Sequence, residues 1–225
     1  MKDFKNIKSF IFDLDGTLYG QDLLEKIFGQ VSQRMGVFIS EKLNVDLKKA
    51  KELQTNYFHK YNTSLNGLII HHDISGPEFL KYVHQINLDF MKKDIALREE
   101  LLKLDAKKYI YTNGSVAHIE QIIKSLGIED LFDGTFDIVE ANYVPKPSME
   151  SYKTMIKKFN INPKESCFVE DIAINLKPAK KLGMKTVWIK NTEYWGKKSS
   201  DEDFIDLKVK DVCSLLKEIN ILKVA

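Results

Sequence analysis

Short apolar runs alternate along this chain with amphipathic stretches whose apolar residues recur at the period of a helix. Five runs have the length and composition of buried strands, and they lie at residues 10–12, 109–111, 136–139, 167–169 and 186–189. Continuous apolar runs are typical of parallel strands, because helices cover both faces of a parallel sheet. The pattern therefore predicts an α/β fold with a doubly wound parallel sheet.

The stretch from residue 20 to residue 91 breaks this alternation. It has no strand-like run flanked by turns, and its apolar residues recur every three to four positions between Leu43 and Tyr61. That spacing predicts helices. We therefore predict an all-helical insertion, residues 20–91, directly after the first strand. Residues 1–19 and 92–225 would then form the core.

The composition places limits on the partners of the protein. A chain of 225 residues with 44% hydrophobic content can bury one substantial core and form one or two domains. Its net charge is +2, and the lysines are scattered rather than gathered in a stripe. No apolar run approaches the length of a membrane span, and charges interrupt the first segment too soon for a signal peptide. We therefore predict a soluble, cytoplasmic protein that binds neither a nucleic acid polymer nor a membrane.

Polar residues of a distinctive kind follow four of the five predicted strands. In chain order they are Asp13-Leu14-Asp15-Gly16-Thr17, Thr112-Asn113-Gly114, Lys146 between two prolines, and Glu170-Asp171. In open parallel sheets, ligands bind beyond the carboxyl ends of the strands. The sequence therefore predicts that these residues share one site.

The chemistry of this set indicates a cation and a phosphate. Crowded carboxylates repel one another unless a cation or a proton intervenes. An all-oxygen set with no histidine or cysteine nearby favours Mg²⁺. Lys146 and the Thr112 hydroxyl are suited to phosphoryl oxygens, and Gly16 and Gly114 let backbone amides approach an anion. Ser115 has the position of an N-cap for a helix that would aim further amides at the site.

These segments resemble the four motifs of the haloacid dehalogenase-like hydrolase superfamily. The matching residues are Asp13-x-Asp15-Gly16-Thr17, Thr112, Lys146, and Glu170-Asp171 followed by Asn175. The resemblance covers nearly the whole chain, since the order and spacing of the motifs also fit. It implies a Rossmann-like core whose helical insertion is a C1 cap, a lid that closes over the site and contacts the leaving group.

The resemblance also implies roles for individual residues. Asp13 would attack phosphorus and form an aspartyl phosphate, while Asp15 would protonate the leaving alcohol and then activate water. The remaining residues are expected to act on the substrate: Thr112 and Lys146 in catalysis, and Asn113 and Gly114 in substrate binding. The implied Mg²⁺ ligands are the Asp13 side chain, the Asp15 backbone carbonyl and Asp171. Glu170 replaces an aspartate found in many relatives, which leaves open whether it contacts the metal directly or through water.

A finer resemblance concerns the substrate. Four segments are similar to those of pyrimidine 5'-nucleotidases: residues 15–19, Gly67-Leu68 followed by His72, Pro145-Lys146-Pro147, and residues 182–186. This resemblance implies that His72 binds the base or sugar, although a solvated histidine beside other polar residues is the alternative. Tyr57, Phe58 and Tyr61 could stack on a base, but their helical spacing favours a stripe that faces the core.

Other functions remain open at this stage. The main alternative is a phosphatase or phosphomutase of another small metabolite such as a sugar phosphate, since a phosphomutase uses the same two aspartates. A 2-haloacid dehalogenase needs neither a metal nor a leaving-group acid, so Asp15 counts against it. A phospho-aspartate signalling domain would need only about half this length and no helical insertion.

Overall fold

The predicted strands form the centre of the computed structural model, which describes residues 4–224. The sheet has six parallel strands: β1 (Ser9–Phe12), β2 (Lys107–Tyr111), β3 (Gly134–Phe136), β4 (Ser166–Glu170), β5 (Lys185–Ile189) and β6 (Leu207–Val209). Their spatial order is β3-β2-β1-β4-β5-β6. The order reverses between β1 and β4, which is where doubly wound sheets bind their ligands.

Two details of the sheet differ from the prediction. The third strand was expected at residues 136–139, but β3 ends at Phe136. The Asp137 carboxylate explains the difference, because it accepts hydrogen bonds from the backbone N–H groups of Val139 (3.0 Å) and Glu140 (2.9 Å) and closes a turn. The sixth strand was not predicted at all, since β6 has only three residues and no continuous apolar run.

Ten α-helices are described. Those of the insertion are α1 (Gln21–Leu43), α2 (Leu47–Tyr61), α3 (Ser64–His72) and α4 (Gly76–Val83). Those of the core are α5 (Ile95–Lys103), α6 (Val116–Leu126), α7 (Met149–Phe159), α8 (Leu176–Lys181), α9 (Tyr194–Lys197) and α10 (Val212–Val224). In the described part of the chain, none of them is long and apolar enough to cross a membrane.

The α/β fold with an all-helical insertion after the first strand is confirmed. The domain boundaries, 20–91 for the insertion and 1–19 with 92–225 for the core, stay predictions. Residues 1–3 and 225, which the predicted core includes, lie outside the described residues.

The close packing of α2 against α3 depends on one glycine. A Cβ atom on Gly67 would lie 2.4 Å from the Cβ and Cγ atoms of Tyr57, which is far inside contact distance. The next residue, Leu68, is fully buried in the core. The segment Gly67-Leu68 therefore has a packing role, whatever its part in substrate recognition.

The insertion and the sheet bury their apolar residues together. Ile27 and Phe79 of the insertion belong to the same hydrophobic cluster as Phe12 of β1 and Ile110 of β2. A second cluster, on the other side of the sheet, includes Tyr152 of α7 and Phe168 of β4. The sheet is thus covered on both faces, as its continuous apolar strands require.

Candidate active site

A buried ion-pair cluster lies at the carboxyl end of β1. The Lys146 ammonium nitrogen is 2.6 Å from Asp13 Oδ1 and 2.6 Å from Glu170 Oε2, and it donates a further hydrogen bond to the Tyr111 carbonyl oxygen (3.1 Å). Lys146 is only 2% exposed. It is therefore no ordinary surface lysine, and its position next to Asp13 agrees with the predicted shared site.

Asn113 makes a hydrogen bond to the loop that carries this lysine. Its side-chain oxygen accepts a hydrogen bond from the Lys146 backbone N–H (2.9 Å). The loop between Pro145 and Pro147 is thereby tied to the end of β2. The sequence predicts substrate binding for Asn113 and gives no sign of this contact.

Three buried carboxylates lie close enough to share a cation. Asp13, Glu170 and Asp171 each offer an oxygen within 4.8 Å of the others. Burial, together with the charge of Glu170, raises the pKa of Asp13 to about 7 despite the opposing charge of Lys146. Burial and the charges of Glu170 and Asp13 also raise the pKa of Asp171 well above its ordinary value. Such a cluster is stabilised by a proton or by a cation.

The donor set fits magnesium. All its atoms are carboxylate oxygens, which Mg²⁺ prefers. Asp171 Oδ1 is buried and has no hydrogen-bond partner among the described residues, so it is available as a ligand. Both oxygens of Glu170 already have partners, since Oε2 contacts Lys146 and Oε1 accepts a hydrogen bond from the Ile172 N–H (3.1 Å).

Asp171 is held in place by residues that the sequence analysis missed. The Asn191 side-chain amide donates to Asp171 Oδ2 (2.7 Å), and the Trp188 indole N–H donates to the Asp171 carbonyl oxygen (2.7 Å). Asn191 follows β5, so the rule that site residues follow strands could have found it. Gly16 has φ +83°, and a Cβ there would lie 2.4 Å from Asp171 Oδ2. The loop after β1 can approach Asp171 this closely because residue 16 is a glycine.

The second motif forms the start of α6. The Thr112 hydroxyl oxygen accepts a hydrogen bond from the Gly114 N–H (2.9 Å), and Ser115 Oγ accepts one from the His118 N–H (3.3 Å). Ser115 is therefore the N-cap of α6, as predicted. The amide donors and the positive end of the helix dipole at this end of α6 favour an anion.

Asp15 has neighbours that the sequence analysis did not anticipate. The Tyr19 hydroxyl donates to Asp15 Oδ1, and His118 Nε2 lies 2.8 Å from the same oxygen. The ring of His84 stacks on His118 with centroids 4.5 Å apart. The expectation that no histidine lies nearby was therefore wrong. His118 comes from α6, 103 residues along the chain, so only the packing of this helix brings it to Asp15.

The two histidines affect the local electrostatics differently. Burial raises the pKa of Asp15, but the charge and hydrogen bond of His118, with the hydrogen bond from Tyr19, outweigh burial and lower it overall. Burial lowers the pKa of His84 to about 3, so this ring is neutral at physiological pH.

His72 belongs to the insertion. It is the last residue of α3, and its Nε2 is 2.7 Å from the Tyr57 hydroxyl oxygen. Its hydrogen bond and ring contacts within the described part of the chain are with Tyr57 and His71, and none joins it to Asp13. Tyr57 packs against the core, while Phe58 is exposed. A substrate-binding role for His72 stays a prediction.

Comparison with known proteins decides the family. A family model described as haloacid dehalogenase-like hydrolase matches residues 7–183. The chain belongs to this family. As a haloacid dehalogenase-like hydrolase, it has the six-stranded parallel sheet and the helical insertion after β1 that are typical of members with a C1 cap.

Named relatives give a more detailed comparison. The chain is 30% identical to phosphate metabolism protein 8 of Saccharomyces cerevisiae over 94% of its own length and 70% of the relative. It is 26% identical to glyceraldehyde 3-phosphate phosphatase of Methanocaldococcus jannaschii over 96% of its own length and 99% of the relative. The fold is similar to that of an HAD phosphatase from Thermococcus onnurineus, with a TM-score of 0.62, 21% identity, and coverage of 95% of this chain and 98% of that one. None of these names is that of a pyrimidine 5'-nucleotidase.

Proposed function

We propose that this hydrolase is a magnesium-dependent phosphomonoesterase that acts on a small sugar phosphate through an aspartyl-phosphate intermediate. The observation that carries the proposal is the buried Asp13 carboxylate, 2.6 Å from the Lys146 ammonium and within reach of two further carboxylates. The second aspartate of the same loop, Asp15, supplies the acid that a phosphomonoester needs and a haloacid does not.

The carboxylates have different expected partners, and Asp13 contacts both the metal and Lys146. Asp13 and Asp171 would hold Mg²⁺ through side-chain oxygens and Asp15 through its backbone carbonyl, while Glu170 holds Lys146. When bound, Mg²⁺ neutralises the crowded carboxylates and polarises a phosphoryl oxygen. Lys146 and the Thr112 hydroxyl would bind the remaining phosphoryl oxygens, and the positive end of the α6 dipole would favour their charge.

The first step transfers the phosphoryl group to the protein. A carboxylate oxygen of Asp13 attacks phosphorus, and the bond between phosphorus and the leaving oxygen breaks. The Asp15 carboxyl group gives its proton to that oxygen, so the product leaves as a neutral alcohol. The negative charge of a bound phosphate favours the protonated form of Asp15 that this step requires.

The second step restores the protein. The Asp15 carboxylate takes a proton from water, and the water oxygen attacks phosphorus. The bond between phosphorus and Asp13 breaks, which releases inorganic phosphate and leaves Asp13 ionised and Asp15 protonated. Two easier displacements thus replace one difficult hydrolysis.

Two observations favour a sugar phosphate over a nucleotide. A relative that matches nearly the whole chain is named glyceraldehyde 3-phosphate phosphatase. The segment Gly67-Leu68, on which the nucleotidase resemblance partly rests, has a packing role between α2 and α3. Pyrimidine nucleoside 5'-monophosphates are the second candidate, because His72 and Tyr57 form a half-buried polar pair in the insertion that could recognise a base.

Substrate competition tests the proposal. With Mg²⁺ present, kcat/KM for glyceraldehyde 3-phosphate should exceed that for UMP by about tenfold or more. A clear preference for UMP that is lost in His72→Ala would overturn the sugar phosphate and establish the nucleotide. An isomerised product with little free phosphate would identify a phosphomutase, and turnover of a 2-haloacid alone would contradict a phosphatase.

A further inference from the structure

His118 has a place in this site that the family motifs do not assign. We propose that His118 is a positioning residue that determines which oxygen of Asp15 carries the transferable proton, an inference that rests on the proposed phosphatase function. His118 acts through Asp15 and not on the substrate itself.

Both side-chain hydrogen bonds to the Asp15 carboxylate reach the same oxygen. The Tyr19 hydroxyl and His118 Nε2 both contact Oδ1, and no described residue donates a hydrogen bond to Oδ2. An oxygen that accepts two hydrogen bonds is a poor site for a further proton. The proton of the neutral carboxyl group therefore resides on Oδ2, which remains available to the leaving oxygen of the substrate.

Gln121 fixes the tautomer of His118. Gln121 Nε2 is 3.0 Å from the His84 backbone carbonyl, which can only accept, so this end of the side chain is the amide NH₂. The same nitrogen is 3.2 Å from His118 Nδ1. Because Nδ1 accepts from the amide, the ring proton lies on Nε2 and is donated to Asp15.

The imidazole is also held rigidly. His118 is 1% exposed, so water does not compete for its hydrogen bonds. Its ring stacks on His84, and His84 Nδ1 lies 2.8 Å from Ser115 Oγ, the N-cap of α6. The end of the insertion and the start of α6 thus hold His118 from two sides. A side chain fixed in this way can orient its partner at little entropic cost.

This role predicts an effect that depends on the leaving group. An alkyl alcohol is a poor leaving group and needs the proton of Asp15 as the bond to phosphorus breaks. A 4-nitrophenolate leaves without that proton. Loss of His118 should therefore slow formation of the phosphoenzyme from alkyl phosphates and leave the rate of its formation from 4-nitrophenyl phosphate nearly unchanged. Hydrolysis of the phosphoenzyme, for which Asp15 acts as base, should slow for both.

The experiment compares the two leaving groups in the full-length chain with Mg²⁺. The alkyl substrate is glyceraldehyde 3-phosphate, or UMP if UMP is turned over faster. In His118→Ala, kcat/KM should fall by about tenfold or more for the alkyl phosphate and by less than about threefold for 4-nitrophenyl phosphate. Rapid mixing should also show a burst of nitrophenolate that wild type lacks. His118→Gln, which keeps an N–H donor, should recover most of the alkyl activity.

Two further variants separate positioning from stability. Ile122→Ala removes a fully buried side chain from the same helix, and it should lower the melting temperature without changing the ratio between substrates. Gln121→Met keeps His118 but removes the amide that holds the ring proton on Nε2. It should therefore lower kcat/KM for the alkyl phosphate more than for 4-nitrophenyl phosphate, by a smaller factor than His118→Ala does. It tests the inference even where His118→Ala fails to fold.

The outcomes distinguish the two proposals. If wild type turns over neither substrate, the proposed function is wrong, and this inference falls with it. If wild type is active but His118→Ala and Gln121→Met lower both substrates equally and show no burst, the phosphatase stands and the positioning role of His118 is overturned.

Discussion

At the scale of single residues, Lys146 connects the parts of the site. Burial alone would lower the pKa of its ammonium group, but the charges of Asp13 and Glu170 outweigh burial and raise it above the ordinary value. Lys146 therefore stays charged at physiological pH. It partly offsets the repulsion between the two carboxylates, which lie at the ends of the neighbouring strands β1 and β4.

Asp13→Asn tests the nucleophile directly. The amide has nearly the volume of the carboxyl group but cannot attack phosphorus, so turnover should be abolished while the fold is kept. The measurement is kcat with Mg²⁺, and the far-ultraviolet circular dichroism spectrum serves as the control for folding. Activity within about tenfold of wild type would contradict covalent catalysis by Asp13.

The pKa of Asp13 predicts how metal binding depends on pH. Because this pKa is raised to about 7, Mg²⁺ must displace a proton at lower pH. The dissociation constant for Mg²⁺ should therefore fall by at least about tenfold per pH unit as pH rises toward 7, and by more where Asp171 must also lose a proton. Calorimetry in two buffers with different ionisation enthalpies counts the released protons. Affinity that does not change with pH would show that Asp13 is already ionised in the metal-free protein.

The same group links pH to stability in the metal-free protein. The folded pKa of Asp13 lies above its value of 3.8 in the unfolded chain, so its stabilising contribution is present below that value and is lost as pH rises through about 7. The melting temperature measured in a chelator should fall over this window. Added Mg²⁺ should reverse the loss, because it binds the ionised carboxylates.

The sequence predicted most of the residues that lie together after the strands, and it gave no sign of those brought close by packing. Asp13, Lys146 and Asp171 were placed in one candidate site because the carboxyl ends of parallel strands meet at one edge of the sheet, whereas Asn191, which follows β5, was overlooked. His118 and Tyr19 approach Asp15 through a helix and a loop whose orientation the local pattern does not specify. Positions such as these depend on tertiary contacts.

At the scale of elements, local signals set most boundaries. The N-cap of α6 at Ser115 was predicted because a serine before a run of helical period satisfies the free amides of the first turn. The strand at residues 136–139 was misplaced because Asp137 competes for the backbone hydrogen bonds that would extend β3. An apolar run alone does not reveal such competition.

The contact between α2 and α3 requires a glycine at residue 67. Gly67→Ala should destabilise the protein by about 1–3 kcal/mol, because its new Cβ would collide with Tyr57. Gly29→Ala in α1 is the matched control. A Cβ at residue 29 meets nothing within 4 Å, so the control should be neutral or more stable by about 1 kcal/mol. Urea denaturation measures both, and equal effects would show that α2 and α3 can separate at little cost.

At the scale of the whole molecule, the insertion and the core share one hydrophobic cluster. We therefore expect thermal unfolding in a single cooperative transition, with equal calorimetric and van't Hoff enthalpies. Differential scanning calorimetry of the metal-free protein checks this. Two transitions, or early hydrogen exchange throughout residues 21–83, would show that the insertion unfolds independently.

The position of β1 also affects how the protein is made. Ser9 pairs with Lys107 on one side and with Ser166 on the other, so β1 is synthesised before either of the strands that it pairs with. During that interval β1, with the apolar run Phe10-Ile11-Phe12, has unpaired edges that can associate with other chains. The sheet therefore cannot close around β1 until β4 has been synthesised, and the candidate site residues come together only after that point.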